Sequence, residues 1–402
     1  MKFIRIALIL LFLPAALYAN DFSLVANIHG GINGAQDNEP EFKFNIDLWP
    51  RYFVLIGDNS DFVISAGLTV GMEEEFYYIP EILQTHFTFR FGKAGIKIGR
   101  MEYADPLSYA AEGLFDGLQF FSSGNAGRFD IGVWYTGFLY KKNANITMTE
   151  DDMSAFDKPV DYNDFFNTYF APARAVAAIG WEHPSIGEVL HFGASIVGQY
   201  DLTGADAQYH SQYLIIKAAV PKGGFLLELG GSVAVSQTIE EDEDDIGVSF
   251  AGEAGFSWML PSKFTSRLSV TGKYASGKME DAYEAFNPIT TQYIGNIPEY
   301  KFSGLSILSL NYTARFAKSF GAALNASYFI RNDLGTINSY PAAVGSDGYL
   351  LGPEVYLRMV FSPVSDVQFD LGGGAFFPSL GDAGPDEPLR WKVDLKVIIA
   401  IL

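Results

Sequence analysis

Residues 42–49 read FKFNIDLW, so that Phe42, Phe44, Ile46 and Leu48 alternate with Lys43, Asn45, Asp47 and Trp49. Successive side chains of an extended chain point to opposite faces, so this spelling describes a strand with one apolar and one polar side. The same spelling recurs outward in both directions. Residues 61–70 set Phe62, Ile64, Ala66, Leu68 and Val70 on one face, and residues 83–91 set Phe87, Phe89 and Phe91 opposite His86, Thr88 and Arg90. Residues 264–274 separate Phe264, Leu268, Val270 and Tyr274 from Thr265, Arg267, Ser269 and Lys273. These runs extend over about 10 to 14 residues, roughly twice the usual length of a globular strand. Their second face is small and mild, as in Gly230, Ser232, Ala234 and Ser236 or Gly321, Ala323, Asn325 and Ser327. An apolar outside around a mild, polar inside is what a lipid-facing wall enclosing water requires.

The connections between the runs alternate in length. Short turns fall at 57–61, 92–94, 124–127, 183–187, 221–224, 261–263, 317–319 and 362–365. Longer loops fall at 34–40, 72–80, 103–115, 141–170, 202–207, 239–245, 276–303, 333–348 and 378–389. Eight turns and nine loops join eighteen strands, an even number with both ends on the short-turn side. The spelling therefore predicts an all-β chain forming a closed antiparallel transmembrane β-barrel of about 18 strands. A count of 16 is the other that boundary placement to within two to four residues allows. The weakest point is Trp49-Pro50, where a proline cannot donate to a ladder; a bulge inside one strand is expected there.

Composition narrows the class. Of 402 residues, 49% are apolar, 15% are aromatic and none is Cys, which excludes disordered chains, disulfide scaffolds and thiol nucleophiles. A formal charge of −20 argues against a nucleic-acid partner. Residues 1–19 carry Lys2 and Arg5 ahead of an apolar run from Ile6 to Leu13, and Leu17-Tyr18-Ala19 forms a cleavage site. They read as a signal peptide, with the barrel over 20–402. Beyond them no apolar run approaches the roughly 18 residues of a membrane helix.

The charge is placed unevenly. The nine longer loops hold 29 acidic and 5 basic residues, while the rest of the chain after the signal holds 18 and 20. On the polar face of the strands lie Lys43, Arg90, Lys97, Arg174, Arg267, Lys273, Arg315, Arg331, Arg358, Lys392 and Lys396. The acids of that face are Asp47, Asp130, Glu228, Glu253, Glu354, Asp370 and Asp394. Either the basic excess lines a pore and favours anions, or the two signs pair across the lumen and brace the wall.

Other constellations carry less. The run Glu240 to Asp245 lacks the glycine-centred calcium loop and reads as a solvated tip. The five histidines have no metal-ligand spacing, and neither His191 with Ser195 nor His210 with Ser211 can form a nucleophile–base pair within its own strand. No metal, cofactor or catalytic residue is expected. Trp134, Trp181, Trp258 and Trp391, with Tyr200, Tyr209, Tyr274, Tyr312 and Tyr349, fall near strand ends and read as an interfacial girdle. Loop 141–170 holds Phe156, Tyr162, Phe165, Phe166, Tyr169 and Phe170, too many aromatics for a solvated tip, and is expected to fold inward as a constriction.

Residues 95–120 are the most distinctive stretch: Gly99-Arg100 ends a strand, a loop carries Asp105 and Leu107, and Asp116-Gly117 opens the next strand. This element resembles one in large outer-membrane porins of the alginate-export-like group, where the two dipeptides bracket a loop folded toward the lumen. The resemblance implies a lumenal brace between Arg100 and Asp116. It covers about 25 residues, and the group's dense arginine track is only partly matched, so alginate itself is not implied. The last strand ends on Leu402, where barrels of this class often end on an aromatic residue.

The expected function is passive diffusion of small hydrophilic solutes through an outer-membrane channel, with anions weakly preferred. Outer-membrane lipids and the barrel-assembly machinery would be the partners. The competing reading is a surface adhesin or receptor displaying loops 141–170 and 276–303.

Overall fold

The structure is a computed structural model and describes residues 21–36, 38–72, 75–205, 207–239, 244–279, 283–334 and 347–401. The signal segment, most of the acidic run at 240–245 and Leu402 lie outside these residues.

The chain forms β1 (Asp21–Ala35), β2 (Glu41–Ile56), β3 (Ser60–Met72), β4 (Phe76–Phe91), β5 (Ala94–Ala104), β6 (Glu112–Gly124) and β7 (Gly127–Tyr135). Three short helices follow: α1 (Lys141–Ala144), α2 (Glu150–Asp157) and α3 (Phe165–Tyr169). Next come β8 (Arg174–Ile186), β9 (Leu190–Asp201), β10 (Gln208–Lys222), β11 (Phe225–Ile239), β12 (Asp244–Leu260) and β13 (Thr265–Ala275). A small hairpin, β14 (Tyr293–Ile294) and β15 (Tyr300–Lys301), interrupts the following loop. The wall finishes with β16 (Leu305–Ala317), β17 (Phe320–Arg331), β18 (Leu350–Val364), β19 (Val367–Phe376) and β20 (Arg390–Ile401).

Eighteen of these strands make one antiparallel sheet, each paired with its neighbours in sequence. Pairing of β1 with β20, from Leu24 opposite Ile401 to Ala35 opposite Arg390, closes the sheet into a ring. Each predicted turn and loop joins the strands the spelling assigns to it, although residues 76–80, 112–115 and 183–186 belong to β4, β6 and β8, and the count is 18 rather than 16. At Pro50 the expectation of a bulge fails. Strand β2 is continuous, and its register with β3 is the same at Leu48 opposite Leu68 as at Arg51 opposite Ser65. The proline merely omits a bond locally, without an extra residue.

Outward positions such as Phe42, Ile196, Leu214, Leu229, Phe256, Leu308 and Leu324 are exposed, because their solvent in use is lipid. The inside is not uniformly watery. Leu107, Tyr109 and Phe115, Leu139, Ile146 and Met148, and Phe286, Ile289 and Phe302 come from three different loops and their flanks. They pack together on the inward faces of β8–β13 at Val176, Val197, Tyr213, Ile215, Ala234 and Ala251. The lumen thus contains an apolar core of its own, built by chain folded in from the long-loop end. Trp134 belongs to this core and is only 4% exposed, and Tyr209 packs against it. Both therefore depart from the girdle expected of them: they sit on inward positions that the folded loops cover.

The hairpin β5–β6 makes the largest departure from a regular wall. It pairs with β4 only over Ala94–Arg100 and with β7 only over Asp116–Gly124. Above those residues it leaves the wall and crosses the lumen. Its tip places Leu107 where a side chain on Gly230 of β11 would stand, and the Tyr109 hydroxyl donates to Glu253 of β12 at 2.8 Å. Gly99, with φ +120°, marks the point of departure; a Cβ there would lie 2.1 Å from the Thr85 carbonyl oxygen. Asp105 stiffens the tip by accepting from the backbone N–H groups of Leu107, Tyr109, Ala110 and Ala111.

Candidate functional site: the lumenal passage

Because the folded loops fill the side of β8–β13, the open part of the lumen lies against β1, β2 and β18–β20. Two adjoining cavities of about 430 and 360 Å³ occur there, sharing His29, Asn45, Glu299 and Lys392 in their linings. Charged and polar groups reach the inner surface because alternate residues of β2, β18, β19 and β20 present Lys43, Asn45 and Asp47, Tyr356 and Arg358, Asp370, and Lys392, Asp394 and Lys396. The loop 276–304 supplies the facing side through Gly295, Asn296, Ile297 and Glu299. Its position is fixed by Glu354, which accepts from the backbone N–H of Asn296 and Ile297 at 2.8 and 2.9 Å.

The charges are largely committed to one another. Arg358 donates through Nε to Asp370 at 2.8 Å and forms an ion pair with it. Lys392 pairs with Glu299 at 2.9 Å. Asp394 accepts the Tyr356 hydroxyl, and Asp47 accepts from Thr69 at 2.7 Å and Asn45 at 3.1 Å. Among the described residues Lys396 makes no hydrogen bond or ion pair, although it stands opposite Asp370 on β19 and His29 on β1.

Of the basic residues singled out by sequence, Lys43, Arg358, Lys392 and Lys396 meet at these cavities. The others are dispersed. Arg90 pairs with Asp61, and Lys273 pairs with Glu253 at 3.4 Å under the Tyr109 ring. Lys97 lies on β5 opposite Thr88 and Gln119. Arg267 and Arg315 sit near the short-turn end, Arg315 donating to the Lys318 carbonyl at 2.7 Å. Arg331 is buried and donates to the Gly348 carbonyl at 2.6 Å. Arg174 is a correction to the sequence reading: it has no exposed surface and joins Asp152 of α2, at 2.6 Å, to Asp201 of β9. It anchors the folded loop instead of lining open water. A buried cation with two carboxylates is tolerable because each charge has a partner.

The aromatics of loop 141–170 are also brought together, though not over the cavities. Phe156 lies on α2, with the Lys142 ammonium 3.7 Å from its ring centre. Tyr162, Phe165 and Tyr169 stack in series against the upper part of β4, with Phe166 and Phe170 beside them. Arg100 and Asp116 are cross-strand partners joined by two hydrogen bonds of 2.8 Å. Strand alternation puts them on the side of Ile98 and Leu118, which are exposed to the outside. The pair therefore braces the outer side of the hairpin at the foot of its inward bend and not the lumen itself. Sequence reasoning passed over Tyr77, Tyr356, Asn296 and Glu299; the last two stand in a loop whose inward fold depends on contacts distant in sequence.

No family model matches the chain, and no curated protein matches it. Solved structures do. Pseudomonas aeruginosa OccK2 (OpdF) in complex with glucuronate superposes with a TM-score of 0.63 at 12% identity, over 96% of this chain and 98% of that one. Pseudomonas aeruginosa OccK5 (OpdH) gives 0.61 at 10% identity over 96% and 99%, and a doubly substituted OccD1 (OprD) gives 0.60 at 14% over 96% and 97%. At these identities the likeness is one of fold: the 18-strand barrel of Occ/Opd channel structures over its whole length. The narrower likeness to the alginate-export-like group rests on residues 95–120 alone.

Proposed function

We propose that this chain is an outer-membrane channel through which small hydrophilic solutes diffuse passively, with anions favoured. The observation that carries the reading is the polar passage left beside the inward-folded loops of a closed barrel. A barrel of this size otherwise encloses an aqueous lumen, and the loops narrow it to one side. The same inward fold counts against the display reading, since Ile146 and Met148 of loop 141–170 and Phe286, Ile289 and Phe302 of loop 276–303 are buried in the internal core.

Anion preference follows from the balance of charge on the lining. Five basic side chains, Lys43, Arg358, Arg390, Lys392 and Lys396, face four carboxylates, Asp47, Asp370, Asp394 and Glu299. The excess is one positive charge, and Lys396 carries an ammonium with no partner among the described residues, so an anion entering the passage is weakly favoured. The acidic loops at the mouth oppose this, but their charges are screened beyond about 8 Å at physiological salt. Reversal potentials across a salt gradient test the reading. The wild type is expected to prefer anions, and Lys396→Gln to shift the potential toward cations. Cation selectivity at low salt and at about 1 M, where screening reaches 3 Å, would refute it.

A further inference from the structure

Where the β5–β6 hairpin leaves the wall, the upper half of β4 loses its neighbour. Register between β4 and β5 spans only Thr85–Phe91, so residues 76–84 carry a ladder on the β3 side alone. In an antiparallel strand, alternate residues turn both N–H and C=O to the same edge. On the vacated edge three successive alternate carbonyls are met by side chains in place of a strand. The Tyr162 hydroxyl donates to Tyr78, the Tyr169 hydroxyl to Pro80 at 2.7 Å, and the Arg100 guanidinium to Ile82 at 2.7 Å. The middle position is Pro80, which has no N–H to satisfy, and proline within a sheet belongs on unpaired edges. Spelling and geometry agree that this edge is built to remain without a ladder.

The patch beside it is apolar and faces outward. Phe166 is 79% exposed, Phe138 62% and Ile82 54%, on a face whose neighbours along the wall are lipid-facing. There a series of rings runs from the exposed Tyr162 to the buried Tyr169. Tyr78 and Tyr162 stack at 4.8 Å, Phe165 and Tyr169 at 4.5 Å, and Tyr169 meets Tyr140 at 4.9 Å beneath the surface. On the inner side of the same strand, Tyr77 borders the passage.

We propose that this seam between β4 and the α3 segment is a lateral gate, through which single-chain apolar or amphipathic molecules dissolved in the bilayer reach the lumen. Opening it breaks the three side-chain hydrogen bonds to the Tyr78, Pro80 and Ile82 carbonyls and the one that Asn143 donates to Glu81, and slides aromatic rings; no backbone ladder has to part. The stacked rings offer an apolar path that an acyl chain can follow and a hydrated ion cannot. The gate rests on membrane placement of the barrel and is separate from diffusion through the mouth.

The chain has no cysteine, so introduced thiols are unique. The full-length barrel carrying Tyr78→Cys and Tyr162→Cys would be reconstituted in vesicles containing a fatty acid with a chain-terminal diazirine. After irradiation, labelled residues would be mapped by mass spectrometry. With thiols free, label is expected on inward residues near Tyr77 and Tyr140 as well as on outward residues. Bridging the thiols with a short reducible crosslinker should remove the inward label at least severalfold, and reduction should restore it. Label confined to outward residues in both states, or inward label indifferent to the bridge, would overturn the gate. Should the cysteine pair fail to fold, Tyr162→Phe with Tyr169→Phe removes two of the three donors and keeps the rings. Inward label should then exceed wild type, and an unchanged level would equally overturn the proposal. Conductance of the wild type in the same vesicles reports separately on the proposed channel.

Discussion

Lys301 shows how costly a single interior charge is in this lumen. It lies on β15, almost fully buried, and donates to the Thr147 carbonyl at 2.7 Å. Burial lowers its ammonium from the ordinary value of 10.5 to about 8, against the weaker upward pull of Asp152. The depressed value means that the docked loop disfavours the charged form. Below pH 8 both docked and undocked forms are protonated, and the full desolvation cost, on the order of 3 kcal/mol, is present. Between pH 8 and 10.5 the docked amine is neutral while the undocked one remains charged, so docking gains stability as pH rises. Wild type minus Lys301→Met stability, from the urea midpoint of the folded gel species, should rise across that window. A flat difference would show that the charge is solvated. Lys301 was legible only as one of two bases in an acidic loop, because nothing local in Tyr300-Lys301 encodes its burial.

At the scale of elements, the strands were readable and their partners inside the barrel were not. Alternation in 42–49 or 264–274 is fixed by the two sides of one wall, lipid and lumen, and each residue's environment follows from its parity alone. Trp134 and Arg174 have equally clear parity, yet their surroundings are set by loops 105–111 and 136–173, whose contacts are far apart in sequence. The exception is the Gly99-Arg100 and Asp116-Gly117 pair, through which the resemblance implied a loop folded toward the lumen. Its physical basis is the bend: with φ at +120° and the Thr85 carbonyl 2.1 Å from any Cβ, position 99 excludes other residues. Gly99→Val should therefore cost at least about 2 kcal/mol and lower the folded, heat-modifiable fraction on gels. The neighbouring exposed Gly92, with nothing within 4 Å of a Cβ, is expected to lose less on substitution by Asn, which tolerates its φ of +66°.

For the whole molecule, one barrel carries two kinds of interior: a packed apolar core against β8–β13 and cavities lined by charged side chains against β1, β2 and β18–β20. The buried parts of the long loops build the first, and the second is what remains for solutes. Deleting residues 150–168 removes α2 and much of α3 along with the Asp152 partner of Arg174, and should raise unit conductance severalfold if the rest of the barrel stays folded. The most direct measurement is planar-bilayer recording of the purified, heat-modifiable wild-type barrel. Stable, ohmic single-channel steps are the predicted result. A folded barrel that inserts into the bilayer and conducts nothing would contradict the channel.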